Sequence, residues 1–150
     1  MTHNQLFKKI CKVNFLLIFI ACNNVTQNNS LLCGDLKLMD NVYLINDVEY
    51  NGVCNVIDTD IVITEKFIKS GKVYSEKGYY FPSGNIKYEG KIVNDSLNGK
   101  YYQYFENGQL RVKGKFYRGF PDGRWYKYDN QGKRLSVQIF KKGELIKTRF

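Results

Sequence analysis

The chain has 150 residues and is basic, with 23 lysines and arginines against 14 aspartates and glutamates and a formal net charge of +9. It contains one histidine, His3, and neither a Gly-x-Gly-x-x-Gly motif nor a phosphate-binding loop. Because His3 falls in a segment that we predict to be removed, the mature chain lacks the usual general base, and the composition argues against an enzyme.

The N-terminal segment has the pattern of a secretory signal peptide. A basic stretch with Lys8, Lys9 and Lys12 precedes a run at 13–21 that is apolar except for Asn14. A membrane-spanning helix needs about 20 apolar residues, so this run is too short to cross a bilayer. A charged segment, an apolar run and a small residue at the cut are the parts of a signal peptide, which we therefore predict at 1–21.

The predicted cut falls directly before Cys22. The string Phe19-Ile20-Ala21-Cys22 resembles a bacterial lipobox, in which the cysteine is lipidated and becomes the first residue of the mature chain. The polar, unpatterned residues that follow indicate a flexible tether, which we place at 22–33. We therefore predict lipid attachment at Cys22 and a location in the bacterial cell envelope, at the outer membrane if the cell is Gram-negative. The alternative is an ordinary signal peptide followed by an incidental cysteine.

Two further cysteines remain in the mature chain. Cys11 leaves with the signal peptide, whereas Cys33 and Cys54 form an even pair in an exported protein and suggest a disulfide. It would close a loop of about 20 residues and contribute roughly 3 kcal/mol in the chain-entropy model. The alternative is a pair of buried free thiols. Because no Cys-x-x-Cys occurs and no histidine accompanies the cysteines, we predict neither a metal site nor a cofactor.

A 24-residue repeat runs through the second half of the chain. Glycines and aromatic residues keep its phase: Gly84, Gly108 and Gly132; Gly99 and Gly123; Gly90 and Gly114; Tyr80, Tyr104 and Tyr128; Tyr101 and Trp125. A period of this length indicates an array of small, similar units. Three units are clear, at 68–91, 92–115 and 116–139, a partial one follows from 140, and a weaker one covers 44–67. They lie within the predicted repeat domain at 34–150.

Each unit is predicted to be a β-hairpin. Strand-prone aromatic residues at 100–105 lead into a turn at 106–108, and the residues that follow alternate between polar and apolar. One hairpin cannot bury its own apolar face, but hairpins paired edge to edge can. The predicted fold class is therefore all-β, with repeated 24-residue β-hairpins forming an extended single-layer antiparallel sheet.

The alternation also predicts which side chains share a face. We expect Gly108 and Gly123 to lie in turns, and a bulge or register change near Gly132, where the apolar positions shift. We further expect the apolar residues of one strand to share a face with the tyrosines of the strand before it, namely Leu110, Val112 and Phe116 with Tyr102 and Tyr104.

The repeat resembles a known family. The string YYQYFENGQL at 101–110, followed by Gly119 and by DGRWYKY at 122–128, is similar to the MORN-repeat variant of bacterial YwqK-type proteins. Asn98 and Asp122 stand where that family usually has histidine, and either can still accept a local turn hydrogen bond. The resemblance covers 68–150 well and 40–67 weakly. It implies a β-hairpin array, and the family includes antitoxins as well as lipoproteins.

Two functions remain open at this point. The first is a membrane-anchored, non-catalytic protein-interaction module, and the alternative is an antitoxin or immunity protein of a toxin–antitoxin system. A candidate binding surface consists of Tyr101, Arg124, Trp125 and Lys127, although aromatic residues on strands more often pack than bind. The basic residues are distributed along the sequence without a continuous run. The alternative to a dedicated anion-binding site is that they form a solvated face of the sheet. We expect a protein partner and contact with the membrane through the lipid, and no nucleic acid.

Overall fold

The computed structural model describes residues 31–59, 61–80 and 82–150. The predicted signal peptide, Cys22 and the tether as far as residue 30 lie outside these ranges. A short 3-10 helix at Cys33–Asp35 comes first. A small three-stranded sheet follows, made of β1 (Lys37–Met39), β2 (Val42–Ile45) and β3 (Val48–Glu49). Nine further strands form the large sheet: β4 (Gly52–Asp58), β5 (Ile61–Lys69), β6 (Lys72–Tyr79), β7 (Ile86–Val93), β8 (Ser96–Tyr104), β9 (Leu110–Tyr117), β10 (Phe120–Tyr128), β11 (Arg134–Lys141) and β12 (Glu144–Arg149).

The large sheet is a continuous meander. Its strands lie in chain order from β4 to β12, and each is antiparallel to the one before it. Most side chains are half-buried or exposed, and the buried apolar ones are few: Leu36, Leu44, Cys54, Ile68 and Trp125. The predicted fold class, an all-β single-layer sheet of repeated hairpins, is therefore confirmed.

The strands are connected at both ends by short turns that contain residues with positive φ. At one end of the strands, two-residue turns such as Arg118-Gly119 and Lys142-Gly143 have positive φ at both positions, as tight hairpins of the type I′ class require. At the other end Gly84, Gly108 and Gly132 have positive φ. Turns also bond to the neighbouring hairpin, because the Gly119 amide donates to the Leu97 carbonyl at 2.9 Å and the Gly143 amide donates to the Pro121 carbonyl at 2.9 Å.

The prediction that Gly123 lies in a turn was wrong. Gly123 lies inside β10 with φ +72°, where the pairing with β9 is irregular between Asp122 and Tyr126. Gly99, one repeat earlier, lies inside β8 with φ +101°. A bulge places an extra residue in one strand, often at positive φ, which glycine adopts without steric cost. These two glycines therefore mark bulges, whereas Gly108 does lie in a turn.

The prediction that Tyr102 shares a face with Val112 and Phe116 was also wrong. Tyr102 pairs with Lys113, whereas Tyr101 pairs with Gly114 and lies on the face of Val112 and Phe116. The β8–β9 register shifts between Gln103 and Tyr104. Counting alternate residues from β8 through the turn into β9 ignores this shift and therefore assigns side chains to the wrong face. The register shift expected near Gly132 does occur, between Lys127 and Tyr128 in the pairing of β10 with β11.

The N-terminal end of the sheet is closed by the chain that precedes it. Part of the weak unit predicted at 44–67 lies in the small sheet, so the large sheet begins only at Gly52. The Asn55 amide donates to the Leu31 carbonyl at 2.8 Å along the outer edge of β4. Cys33, bonded to Cys54, lies next to the buried cluster of Leu36, Cys54 and Ile68. This cluster is the most enclosed part of the described fold.

Candidate functional site

One face of the large sheet carries a row of aromatic rings that crosses its strands. We call it the aromatic face. Ring centroids are 6.3 Å apart from Tyr88 to Tyr101, 5.2 Å from Tyr101 to Phe116, 5.0 Å from Phe116 to Trp125 and 6.0 Å from Trp125 to Phe140. The last three contacts are edge-to-face arrangements, which aromatic quadrupoles favour. The row links β7 to β11 through side chains, in addition to the backbone ladder.

Glycines beside the row allow the rings to lie on the backbone. Gly78 pairs with Tyr88, and a Cβ added at Gly78 would overlap the Tyr88 ring. Gly90 pairs with Tyr101, and a Cβ added at Gly90 would overlap the neighbouring Leu97 side chain. A Cβ added at Gly114 would overlap the indole of Trp125. Glycine inside a strand often marks such a close approach. The spacing of Gly90 and Gly114 in the sequence therefore reflects packing rather than turns.

We expect Gly114→Ala to destabilise the protein by about 1–3 kcal/mol, the usual range for overpacking. The new methyl group would have to displace the Trp125 ring, which other rings hold on several sides. Chemical denaturation measures the loss. Gly34→Ala is the matched control, because a Cβ there meets no atom within 4 Å and the change should cost less than about 0.5 kcal/mol. Equal stability of the two variants would contradict the packing role of Gly114.

A groove of about 600 Å³ follows the C-terminal part of the aromatic row. Its lining is mainly apolar and includes Phe116, Trp125 and Phe140, and Arg111 and Lys127 also line it. Trp125 is only 8% exposed, and its Nε1 atom has no hydrogen-bond partner among the described residues. Trp125 therefore forms part of the floor of the groove and packs the sheet, rather than projecting toward a partner.

The four residues of the predicted binding surface do not form one patch. Trp125 and Lys127 lie on the aromatic face with Tyr101, and Trp125 contacts the Tyr101 ring at 6.0 Å between centroids. Arg124 pairs with Ile139 on the opposite face, because successive residues of a strand point to opposite sides. Tyr88 and Phe140 were not among the predicted surface residues, although Phe140 follows Phe116 by one repeat.

The opposite face, which we call the polar face, carries tyrosine–glutamate pairs. The Tyr79 hydroxyl donates to Glu65 Oε2 at 2.5 Å, and the Tyr104 hydroxyl donates to Glu89 Oε1 at 2.7 Å. Glu65 and Glu89 are one repeat apart, and the next position in phase is Lys113. The Lys113 ammonium instead lies over the rings of two tyrosines, 5.2 Å from the centroid of Tyr126 and 5.7 Å from that of Tyr128.

Burial and the carboxylates together keep these phenols protonated. Desolvation, followed by the hydrogen bond to Glu89 and its negative charge, raises the pKa of Tyr104 to about 12. The same causes, with Glu65 as the partner, raise the pKa of Tyr79 further. A raised pKa keeps the hydroxyl available as a donor. Both tyrosines therefore act as structural links between strands, and neither is a candidate base.

We predict that alkaline pH removes the contribution of Tyr104. Its pKa is raised in the folded chain, so the stabilisation is fully present below the unfolded pKa of about 10 and is lost as pH rises toward about 12. Urea unfolding of wild type and Tyr104→Phe at several pH values measures this, and the variant should lose less stability across the window. Tyr117→Phe is the control, since Tyr117 donates to no described carboxylate. Parallel curves for wild type and Tyr104→Phe would contradict the prediction.

No helix in the described ranges is long and apolar enough to span a membrane. Within the same ranges, no three histidine, cysteine, aspartate or glutamate side chains are grouped so that they could hold a metal ion. Neither a protein-family model, nor a curated protein, nor a solved structure matches the chain significantly.

Proposed function

We propose that this chain is a membrane-anchored lipoprotein of the bacterial cell envelope that acts as a non-catalytic protein-interaction module. The observation that supports this most directly is the single-layer sheet, in which nine strands expose two extended faces with few fully buried side chains. Repeat arrays typically bind partners through such extended faces. The sequence at 1–22, with its lipobox-like end at Cys22, supports the anchor.

Binding without turnover is part of the proposal. The only histidine of the chain is His3, in the predicted signal peptide. Both tyrosines with strongly raised pKa values are hydrogen-bonded links rather than groups ready to exchange protons. The resemblance to the MORN-repeat variant agrees with a binding role, because it is a resemblance to hairpin arrays rather than to an enzyme active site.

Metabolic labelling with palmitate tests the anchor. The wild-type chain should incorporate the label and partition with membranes, and Cys22→Ser should lose the label. Label retained in Cys22→Ser, or a mature protein found free in the periplasm, would contradict the anchor. The cysteine pair at 33 and 54 provides the control, since a variant lacking both should still be labelled.

Crosslinking in envelope fractions tests the binding role. The wild-type chain should reproducibly crosslink to one partner protein, in an amount close to one partner per chain. If that partner is a toxin whose activity the chain blocks, the immunity alternative implied by the YwqK-type resemblance replaces the first proposal. If the purified chain turns over a substrate at about 1 per second or faster, the non-catalytic role is wrong.

A further inference from the structure

The charges of this chain are separated along its sequence. Residues 31–60 contain 1 lysine and 6 acidic residues, which gives a net charge of −5. Residues 61–109 contain 7 lysines and 5 acidic residues, for a net +2. Residues 110–150 contain 12 lysines and arginines and 3 acidic residues, for a net +9. The last segment alone therefore has the same net charge as the whole chain.

This sequence gradient is also a gradient in space. The strands of the large sheet lie in chain order, so residues 110–150 occupy the four neighbouring strands β9–β12. With strands about 4.8 Å apart, β4 and β12 are separated by roughly 38 Å across the sheet. The Debye length at physiological ionic strength is about 8 Å, so a partner near β12 is screened from the acidic end. We call strands β9–β12 the basic end.

A groove on the polar face of the basic end brings three arginines together. It has a volume of about 420 Å³, and Arg124, Arg134 and Arg149 line it from β10, β11 and β12. None of the three forms an ion pair with any residue that the structure describes, and the ion pair of β9–β12 joins Lys115 to Asp122 at 3.6 Å. We call this feature the arginine groove.

The remainder of the arginine groove is lined by apolar and aromatic side chains and by Ser136. Val137 pairs with Tyr126 on one side and with Arg149 on the other, and Ile139 pairs with Arg124. These side chains and Leu135 also line the groove. A ligand with both anionic groups and some apolar surface would therefore match this lining.

We propose that the arginine groove docks an acidic segment of a protein partner, in which carboxylate and apolar side chains both face the groove. Guanidinium groups bind carboxylates through paired hydrogen bonds, and the three arginines come from three neighbouring strands, so that one segment lying across these strands can contact them all. The proposal rests on the binding role proposed above, and it names the site and the chemistry of the partner.

Two other polyanions fit the groove less well. Single-stranded nucleic acid gains much of its affinity from bases stacked on aromatic rings, but the Lys113 ammonium already lies over Tyr126 and Tyr128. Lipid headgroups offer charge but no apolar group that would match Val137 and Ile139. Both are outcomes that the experiment must distinguish from an acidic peptide.

Fluorescence anisotropy with the full-length chain tests the proposal. The probe is a short labelled peptide in which pairs of glutamates follow pairs of leucines, so that each face of the extended peptide carries both, and its glutamine counterpart is the uncharged control. The triple variant Arg124→Gln, Arg134→Gln and Arg149→Gln should weaken probe binding by at least about tenfold, because it removes the charge-assisted bonds. A charge-matched control, Lys69→Gln, Lys72→Gln and Lys91→Gln, changes exposed lysines outside the basic end and should stay within about twofold of wild type.

Three results would overturn the proposal. The first is unchanged binding in the arginine variant when circular dichroism shows that it is folded. The second is an equal loss in the lysine variant, which would indicate general attraction without a site. The third is tighter, arginine-dependent binding to vesicles of phosphatidylglycerol and phosphatidylcholine, or to a single-stranded oligonucleotide, than to the peptide. An envelope partner captured equally by wild type and the arginine variant would leave the binding role intact and reject this site, whereas no captured partner at all would reject the role itself.

Discussion

Replacing Trp125 with alanine should destabilise the protein by about 3–5 kcal/mol, the range for truncating a large buried aromatic side chain. Trp125 is the only large aromatic side chain of the described residues that is buried, with 8% of its surface exposed. Its ring contacts Phe116 at 5.0 Å, Tyr101 at 6.0 Å and Phe140 at 6.0 Å between centroids. A single-layer sheet has no second layer that could move into the cavity, so the contacts of three neighbours would be lost together.

Urea unfolding gives the free-energy change, and two variants control it. Trp125→Phe keeps a ring in place and removes the Nε1–H group that has no described partner, so its cost should remain below about 1.5 kcal/mol. Phe120→Ala truncates an aromatic residue that is 59% exposed and should cost less than about 1 kcal/mol. If Trp125→Ala were no more harmful than Phe120→Ala, the aromatic row would not stabilise the sheet.

The hairpin array was predictable because its signals are local. Two-residue turns such as Arg118-Gly119 and the glycine turns at Gly84, Gly108 and Gly132 specify hairpins within a short stretch of chain. Their regular repetition then specifies a meander, since consecutive hairpins pair with the least loop-closure cost. The fold class therefore followed from spacing and turn chemistry without any knowledge of tertiary contacts.

The assignment of residues to faces was less predictable, because it depends on whether an even or an odd number of residues separates two positions along a strand. One bulge changes which residues point to a given side, and glycine at positive φ occurs in bulges as well as in turns. The sequence around Gly123 does not distinguish these two uses. For this reason Tyr102 was assigned to the wrong face, and Arg124 was grouped with Trp125 although the two lie on opposite faces.

The arginine groove depends on the pairing register of three consecutive strands, β10, β11 and β12. Arg124 and Arg149 lie on different repeat units, and they line one groove because β10 and β12 pair with opposite edges of β11 in registers that place both side chains on the same face. The charge gradient, in contrast, could be obtained from the sequence by counting charges unit by unit. Counting over the whole chain conceals it, because the net charge of residues 1–109 is zero. The net charge of each segment, rather than that of the whole chain, would therefore have indicated the basic end.

Removing the disulfide should lower the stability of the N-terminal end by about 3 kcal/mol. Cys33 and Cys54 are bonded at a sequence separation of 21, and loop-closure entropy gives roughly this value for a loop of that length. The bond holds the segment that covers the outer edge of β4, where the Asn55 amide donates to Leu31. Cys54 is fully buried beside Leu36 and Ile68, so the same change also disturbs the buried cluster.

Thermal unfolding of wild type and the double variant Cys33→Ser and Cys54→Ser, each with and without a reducing agent, separates the two contributions. The reductant should lower the midpoint of wild type and leave that of the double variant unchanged, because only wild type has a bond to reduce. The difference between reduced wild type and the double variant then reports the packing of the Cys54 side chain. If the reductant leaves wild type unchanged although thiol titration shows both cysteines free, the segment that covers the outer edge of β4 is held by the buried cluster of Leu36, Cys54 and Ile68, and the disulfide adds little. Hydrogen exchange in β4 and β5 should rise more than in β9 and β10 when the bond is absent, since each hairpin of an array depends mainly on its neighbours.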